Sequence, residues 1–106
     1  MDELIDEPVA TVLGSGANEE FVIALRGELD LSNVEAARAV VEAGVATGPA
    51  RLVFEMGELT FMDSSGIALL VDATRELDRV ELRNLRAGVR RVLEITGLSG
   101  TFGLDP

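Results

Sequence analysis

One stretch, residues 59–70, restricts what this chain can fold into more than any other. A polar block of Asp63, Ser64, Ser65 and Gly66 interrupts an otherwise apolar sequence there. Asp and Ser are favoured helix N-caps, because their side-chain oxygens accept hydrogen bonds from the unpaired amides of the first turn. Mostly apolar residues then recur near helical spacing: Ile67, Leu70, Val71, Thr74 and Leu77. The stretch therefore predicts a strand end or tight turn that leads directly into a helix.

The two serines of this block are candidate phosphorylation sites. A phosphoryl group on Ser64 or Ser65 would meet unpaired amides and the positive end of the helix dipole. The alternative interpretation is structural, with Asp63 and Ser64 only capping the helix. The four residues of the block leave both interpretations open.

The amino-acid composition excludes several kinds of chemistry. With 106 residues, four Phe and no Trp or Tyr, the chain predicts one domain with an aliphatic core. The absence of Cys excludes disulfides and thiolate metal sites. The absence of His removes the commonest general base and metal ligand. We therefore expect no cofactor, no metal ion and no enzymatic activity.

The net charge restricts the possible partners. A formal charge of −10 argues against nucleic acid and anionic membranes, since phosphates are bound by Lys and Arg. A basic protein surface is the more natural partner, although acidity also keeps a small domain soluble. The N-terminus is acidic and no apolar run is long enough to span a membrane. We therefore expect a cytoplasmic protein without a signal peptide or membrane insertion.

Hydrophobic periodicity and turn residues predict the order of the elements. Residues 1–8 are expected to form a frayed acidic arm and residues 9–106 one domain. Strands are expected at 9–13, 21–25, 51–55 and 79–83, with at most a short last strand at 101–104. Helices are expected at 32–47, after Asp63, and around 89–96, where Gly97 is the expected residue after the last helical turn. We also expect a turn at 14–18, a helix cap at Ser32 and a loop at 56–60.

These elements predict an α/β domain with a mixed sheet of four or five strands and about three helices. The first two strands would form a hairpin. A helix connects the strands expected at 21–25 and 51–55, so these two strands should be parallel.

Three short motifs, in this order, resemble the STAS domain, and most closely the bacterial anti-sigma factor antagonists. They are Gly-Glu-Leu-Asp at 27–30, Phe-Met-Asp-Ser-Ser-Gly at 61–66 and Thr-Gly-Leu at 96–98. The resemblance covers roughly residues 9–104. It implies the same small α/β fold, with the helices packed mainly on one side of the sheet.

The resemblance also implies a mechanism. In anti-sigma factor antagonists, the first Ser after the motif Asp is phosphorylated by the cognate anti-sigma factor, a serine kinase that binds the ATP. That position is Ser64 in this chain. The unphosphorylated antagonist binds the anti-sigma factor and frees the sigma factor. Phosphorylation ends the binding, and a separate phosphoprotein phosphatase restores it.

Other residues match the same motifs. The resemblance implies that Asp63 and Asp30 lie beside Ser64 and that Ser65 supports the turn. Gly66 is expected to keep the first helical turn uncrowded. Ile67 follows the motif Gly and is expected either to contact the partner or to pack in the core.

Two other classes of function stay open. Residues 68–70 are also similar to STAS subunits of bacterial phospholipid-transport complexes, where the domain is a regulatory partner of an ATPase. The alternative is therefore a regulatory or scaffold subunit of a phospholipid-transport or signalling complex. Such a subunit would bind its partner whatever the state of Ser64. An enzyme would require Asp30 and Asp63 to act as paired carboxylates with different pKa values, which nothing in the sequence indicates.

Overall fold

Four strands form one mixed sheet, and three helices accompany it. The computed structural model describes residues 7–15 and 19–104. The elements are β1 (Ala10–Ser15), β2 (Glu20–Leu29), α1 (Val34–Ala46), β3 (Arg51–Met62), α2 (Ser64–Glu76), β4 (Val80–Arg83) and α3 (Ala87–Ile95). The strands lie in the order β1-β2-β3-β4. The predicted α/β domain is confirmed; most of the acidic arm expected at 1–8 lies outside the described residues.

All three helices pack on the same face of the sheet. Their inner side chains share one buried cluster with alternate residues of the central strands: Phe21, Ile23 and Leu25 of β2, and Leu52 and Phe54 of β3. Successive strand side chains point to opposite faces, so this alternation assigns the cluster to a single face. The other face carries ion pairs near the starts of the strands, among Glu20, Arg51, Glu81 and Arg83.

The pairing of the strands agrees with the sequence. β1 and β2 form the expected antiparallel hairpin, and β2 and β3 are parallel, as a strand-helix-strand unit requires. β4 adds a second parallel pair on the other side of β3. Gly14 and Ser15, expected in the hairpin turn, belong to β1 instead, because both pair with β2. The rest of that expected turn, residues 16–18, lies outside the described residues.

The two central strands are longer than predicted. The loop expected at 56–60 is part of β3, because β2 continues beyond residue 25 and pairs with β3 as far as Leu29 and Met62. The pairing is irregular on both sides of Arg26 and Gly27. Gly27 has a φ of +76°, in the left-handed region that favours glycine. Because of this extension, β2 and β3 end side by side, directly before Asp30 and Asp63.

The start of α1 also differs from the prediction. Ser32 does not cap this helix; the cap position is Asn33, and the helix begins at Val34. The reason is local: the Ser32 hydroxyl donates to Asp30 Oδ1 at 2.6 Å and so stays in the turn before the helix. The Asn33 side chain likewise bonds back to the turn, accepting from the N–H of Asp30 at 2.9 Å.

The Thr-Gly-Leu motif at 96–98 ends α3 as predicted. Gly97 has a φ of +79°. The N–H of Leu98 donates to the carbonyl of Leu93 at 2.9 Å, and that of Gly97 to Glu94 at 3.0 Å. These two bonds are those of a Schellman motif, which satisfies the last carbonyls of the helix. Residues 101–103 form a turn, so the short last strand considered there is absent from the described part of the chain.

Candidate phosphorylation site

Asp63 is the N-cap of α2, and its carboxylate joins the first turn of this helix to the turn between β2 and α1. Oδ1 accepts hydrogen bonds from the N–H groups of Ser65 (2.9 Å) and Gly66 (3.3 Å) and from the Ser65 hydroxyl (2.5 Å). Oδ2 accepts from the N–H of Leu31, in the turn between β2 and α1, at 3.3 Å. These bonds, first of all that from the Ser65 hydroxyl, hold the pKa of Asp63 below its ordinary value of 3.8. The carboxylate is therefore ionised at neutral pH.

Asp30 lies next to Asp63 along the edge of the sheet. Leu29 and Met62 are register partners at the ends of the two strands, and the N–H of Asp63 donates to the carbonyl of Leu29 at 3.2 Å. The Asp30 carboxylate bonds within its own turn, where Oδ1 accepts from the N–H of Ser32 at 3.0 Å as well as from its hydroxyl. Asp30 thus orders the β2–α1 turn, and Asp63 ties that turn to α2.

Gly66 lets the first turn of α2 lie against the ends of β2 and β3. A Cβ at this position would come within 2.6 Å of Met62 Cγ and 3.0 Å of Leu29 Cδ2. Both side chains are buried, so they have little room to move away. Gly66 therefore sets how closely Ser64 and Ser65 approach the edge of the sheet.

The two serines have different surroundings although they are neighbours. Ser65 is half-buried and its hydroxyl donates to Asp63. Ser64 is the first residue of α2 and is exposed, and among the described residues its hydroxyl has no hydrogen-bond partner. Of the two candidates, Ser64 is the one with an accessible, unoccupied hydroxyl.

A phosphoryl group on Ser64 would meet fewer unpaired amides than the sequence predicts. The amides of Ser65 and Gly66 are already occupied by the Asp63 carboxylate. The group would add about −1.5 to −2 charges on the exposed surface, beside an ionised carboxylate. None of the salt bridges formed within residues 7–15 and 19–104 involves Asp30 or Asp63, so the local charge is not compensated by an ion pair.

The site is an exposed edge and not a cleft. Neither Asp63 nor Ser64 lines the surface grooves of about 540, 390 and 260 Å³, although the first borders the β2–α1 turn through Ser32 and Asn33. No group of acidic side chains in the described ranges could hold a metal ion. The helices within the same ranges are too short or too polar to cross a membrane. An exposed edge with one free hydroxyl suits recognition by another protein.

The model of the STAS domain family matches residues 12–106. This chain belongs to the STAS domain family. Among curated relatives, the anti-sigma F factor antagonist of Lysinibacillus sphaericus is 38% identical over 92 residues, which cover 82% of this chain and 78% of that protein.

Solved structures of anti-sigma factor antagonists share the fold of this STAS domain. Unphosphorylated SpoIIAA has a TM-score of 0.75 and 34% identity, with 88% of this chain and 84% of that chain covered. The phosphorylated form of Bacillus SpoIIAA has a TM-score of 0.68 and 33% identity, with coverages of 88% and 86%. An antagonist from Mycobacterium paratuberculosis has a TM-score of 0.81 and 26% identity, with coverages of 97% and 91%.

The residues that the sequence predicted for the site lie together in this STAS domain. Asp30, Asp63, Ser64, Ser65 and Gly66 surround the adjacent ends of β2 and β3. The sixth residue, Ile67, is half-buried and packs against the core cluster. Part of its side chain therefore serves the core, and its contact with a partner stays a prediction.

Sequence reasoning missed two exposed hydrophobic residues at the same edge of the STAS domain. Leu31 is 77% exposed and Phe61 is 49% exposed. Leu31 follows one predicted strand and precedes the next helix, so it belongs to neither apolar face, and this signal was available in the sequence. The sequence did not indicate that Phe61 is exposed, because it lies in a mostly apolar stretch with Leu59 and Met62.

Proposed function

We propose that this protein is an anti-sigma factor antagonist whose binding to its anti-sigma factor is switched off by phosphorylation of Ser64. The observation that carries the proposal is the exposed hydroxyl of Ser64, which has no hydrogen-bond partner among the described residues and follows the ionised Asp63. The curated relative in Lysinibacillus sphaericus is an anti-sigma F factor antagonist. A phosphorylated form of SpoIIAA has been solved with the same fold, which supports the same device here.

The switch acts on the surface, by charge. An anti-sigma factor fitted to a neutral serine would remove water from Ser64 on binding. After phosphorylation it would have to bury a dianion next to a second negative charge, at a cost of several kcal/mol. That cost corresponds to a loss of affinity of roughly a hundredfold or more.

The fold is expected to tolerate the modification. The bonds that start α2 connect Asp63 to Ser65, Gly66 and Leu31, and none of them uses the Ser64 side chain. A phosphoryl group on Ser64 can therefore extend into solvent without displacing the cap.

The protein supplies only the phosphoryl acceptor in this scheme. The anti-sigma factor, a serine kinase, holds the ATP; Ser64 Oγ attacks the γ-phosphorus, ADP leaves, and the hydroxyl proton passes to the kinase or to water. A phosphatase later hydrolyses the phosphoserine. The protein itself would need no cofactor, metal ion or catalytic group, and it would act in the cytoplasm.

The proposal is tested by phosphorylation in vitro. The purified anti-sigma factor kinases of the source organism are incubated one by one with this protein and Mg-ATP, and intact mass is measured. We expect one of them to add about 80 Da, the mass of one phosphoryl group, at Ser64. Ser64→Ala should abolish the modification and Ser65→Ala should retain it. Modification at Ser65, or no modification by any of these kinases, would contradict the proposal.

A further inference from the structure

We propose that Leu31 and Phe61, at the end of the sheet that carries Ser64, form the apolar part of the surface on which the anti-sigma factor docks. The inference rests on the proposed function and deepens it, since it extends the docking surface beyond α2. It includes the turn between β2 and α1 and the last residues of β3 on the helix-free face of the sheet.

The exposed hydrophobic residues are not spread evenly over the molecule. Within the described part of the chain, the large hydrophobic residues that are exposed are Val12, Leu13, Leu31, Phe61 and Ile95. Leu31, at 77%, is the most exposed of them. Single exposed hydrophobic residues are ordinary. The Leu31 N–H, however, donates to Asp63, and Phe61 lies two residues before Asp63 in β3. This shared position at one end of the sheet is what requires an explanation.

Leu31 is fixed directly beside the candidate phosphorylation site. Its N–H donates to Asp63 Oδ2 at 3.3 Å, so its backbone is tied to the cap of α2. The turn around it is held from the other side, where the Asn33 side chain donates to the carbonyl of Glu28 at 2.8 Å. A turn that is already ordered loses little backbone entropy when a partner covers the side chain that it presents. Leu31 therefore has the properties of a preorganised contact residue.

Phe61 approaches the same site from the other face of the sheet. It lies two residues before Asp63, and its neighbour Met62 is buried under the helices, so the alternation of β3 directs Phe61 to the helix-free face. The end of the strand is held by the Thr60 hydroxyl, which donates to the carbonyl of Gly27 at 3.0 Å. The surface from Leu31 through Ser64 to Phe61 thus wraps over the edge of the sheet.

The charges of this surface indicate the chemistry of its occupant. Asp30 and Asp63 directly follow the paired ends of β2 and β3, exposed Glu28 pairs with Phe61 across these strands, and the whole chain carries −10. The matching partner is a protein surface with apolar pockets for Leu31 and Phe61 and basic groups around them. Binding energy concentrates on a few well-packed residues near the centre of an interface. A phosphoryl group on Ser64 would enter the dry centre of this contact, which is where it opposes binding most strongly.

The affinity of the unphosphorylated protein for each purified anti-sigma factor of the source organism, measured by titration calorimetry, tests the inference. We expect Leu31→Ala and Phe61→Ala each to weaken binding at least about tenfold. Ile95→Ala and Val12→Ala are matched controls, since these side chains are 72% and 51% exposed but belong to the end of α3 and to β1. Both controls should bind like wild type, within about twofold.

Leu31→Ala decides the test, because a side chain so exposed contributes little to the fold, and its melting temperature should equal that of wild type. Wild-type affinity of Leu31→Ala, with or without an effect of Phe61→Ala, would overturn the inference. Suppose that the wild type binds an anti-sigma factor, that Ser64→Asp does not bind it, and that both alanine variants bind it with wild-type affinity. In that case only this inference fails, and the proposed function stands. If wild type binds none of the anti-sigma factors, or binds one as tightly as Ser64→Asp does, the proposed function fails and this inference with it.

Discussion

At the residue scale, Asp63 is the side chain on which the geometry of the site depends. One oxygen holds the first turn of α2 and the other holds the turn that carries Leu31. Hydrogen bonds to an ionised acceptor are stronger than those to a neutral one. The same bonds explain why the pKa of this carboxyl is lowered. Loss of the Asp63 charge should therefore weaken both the first turn of α2 and its connection to the turn between β2 and α1.

The Asp63→Asn variant tests this through the pH dependence of stability. Asn caps helices about as well as Asp, so α2 should still begin at the same residue. Because the folded-state pKa of Asp63 is lowered, its ionised form stabilises the wild type fully above the unfolded value of 3.8. This contribution is lost as the pH falls through the lower folded-state value.

The free energy of unfolding is measured for both proteins by urea denaturation, from about pH 7 to about pH 2. The advantage of wild type over Asp63→Asn should be largest at neutral pH and should shrink in the acid range. A difference that stays constant over the whole range would show that the Asp63 carboxylate has the same pKa in the folded and unfolded protein.

At the element scale, α2 is held against the sheet by the absence of a side chain at Gly66. Gly66→Ala should lower the free energy of unfolding by about 1–3 kcal/mol, because the added methyl overlaps buried Met62 and Leu29. Gly88→Ala in α3 is the matched control, since nothing lies within 4 Å of a Cβ built there. It should be neutral or stabilising by up to about 1 kcal/mol. Equal stability of the two variants in urea denaturation would contradict the packing described for α2.

Some of the helices and strands could be predicted from the sequence, and others could not. The cores of the strands and the helix after Asp63 were predictable, because continuous apolar runs and a capping block identify them locally. The extension of β3 through residues 56–62 was not predictable. It contains Gly57, Glu58 and Thr60, and it is a strand because β2 pairs with it through two irregularities. The cap predicted at Ser32 was wrong for a different, local reason, since the Ser32 hydroxyl donates to Asp30 two residues earlier.

The site was predictable to the extent that it is local or matches the family motifs. The contacts of Asp63 with Ser65 and Gly66 lie within four residues and follow from ordinary capping. The neighbourhood of Asp30 came from the resemblance, and the structure explains it by the common end of β2 and β3. The bond from Leu31 to Asp63 joins residues 32 apart and depends on the strand register, so no local pattern could indicate it.

At the scale of the whole molecule, the Ser64 side chain is exposed and lies outside the packed core. The helices lie on one face, and the ion pairs of Arg51 and Arg83 with Glu81 lie on the other, near the starts of the strands. Ser64 lies at the opposite edge, where β2 and β3 end. Within the described residues, α1 and α2 are also joined by an ion pair of 3.1 Å between Arg38 and Asp72, away from the start of α2. A charge added at Ser64 thus changes a surface and leaves the packing in place.

The measurement that tests this account most directly compares one anti-sigma factor binding to the unphosphorylated protein and to the protein fully phosphorylated at Ser64. Titration calorimetry gives both affinities, and thermal melting of the two forms provides the control for folding. We predict binding that is weaker by roughly a hundredfold or more after phosphorylation, with little change in melting temperature. Equal affinity of the two forms would contradict the account and would fit a STAS subunit that binds its partner whatever the state of Ser64.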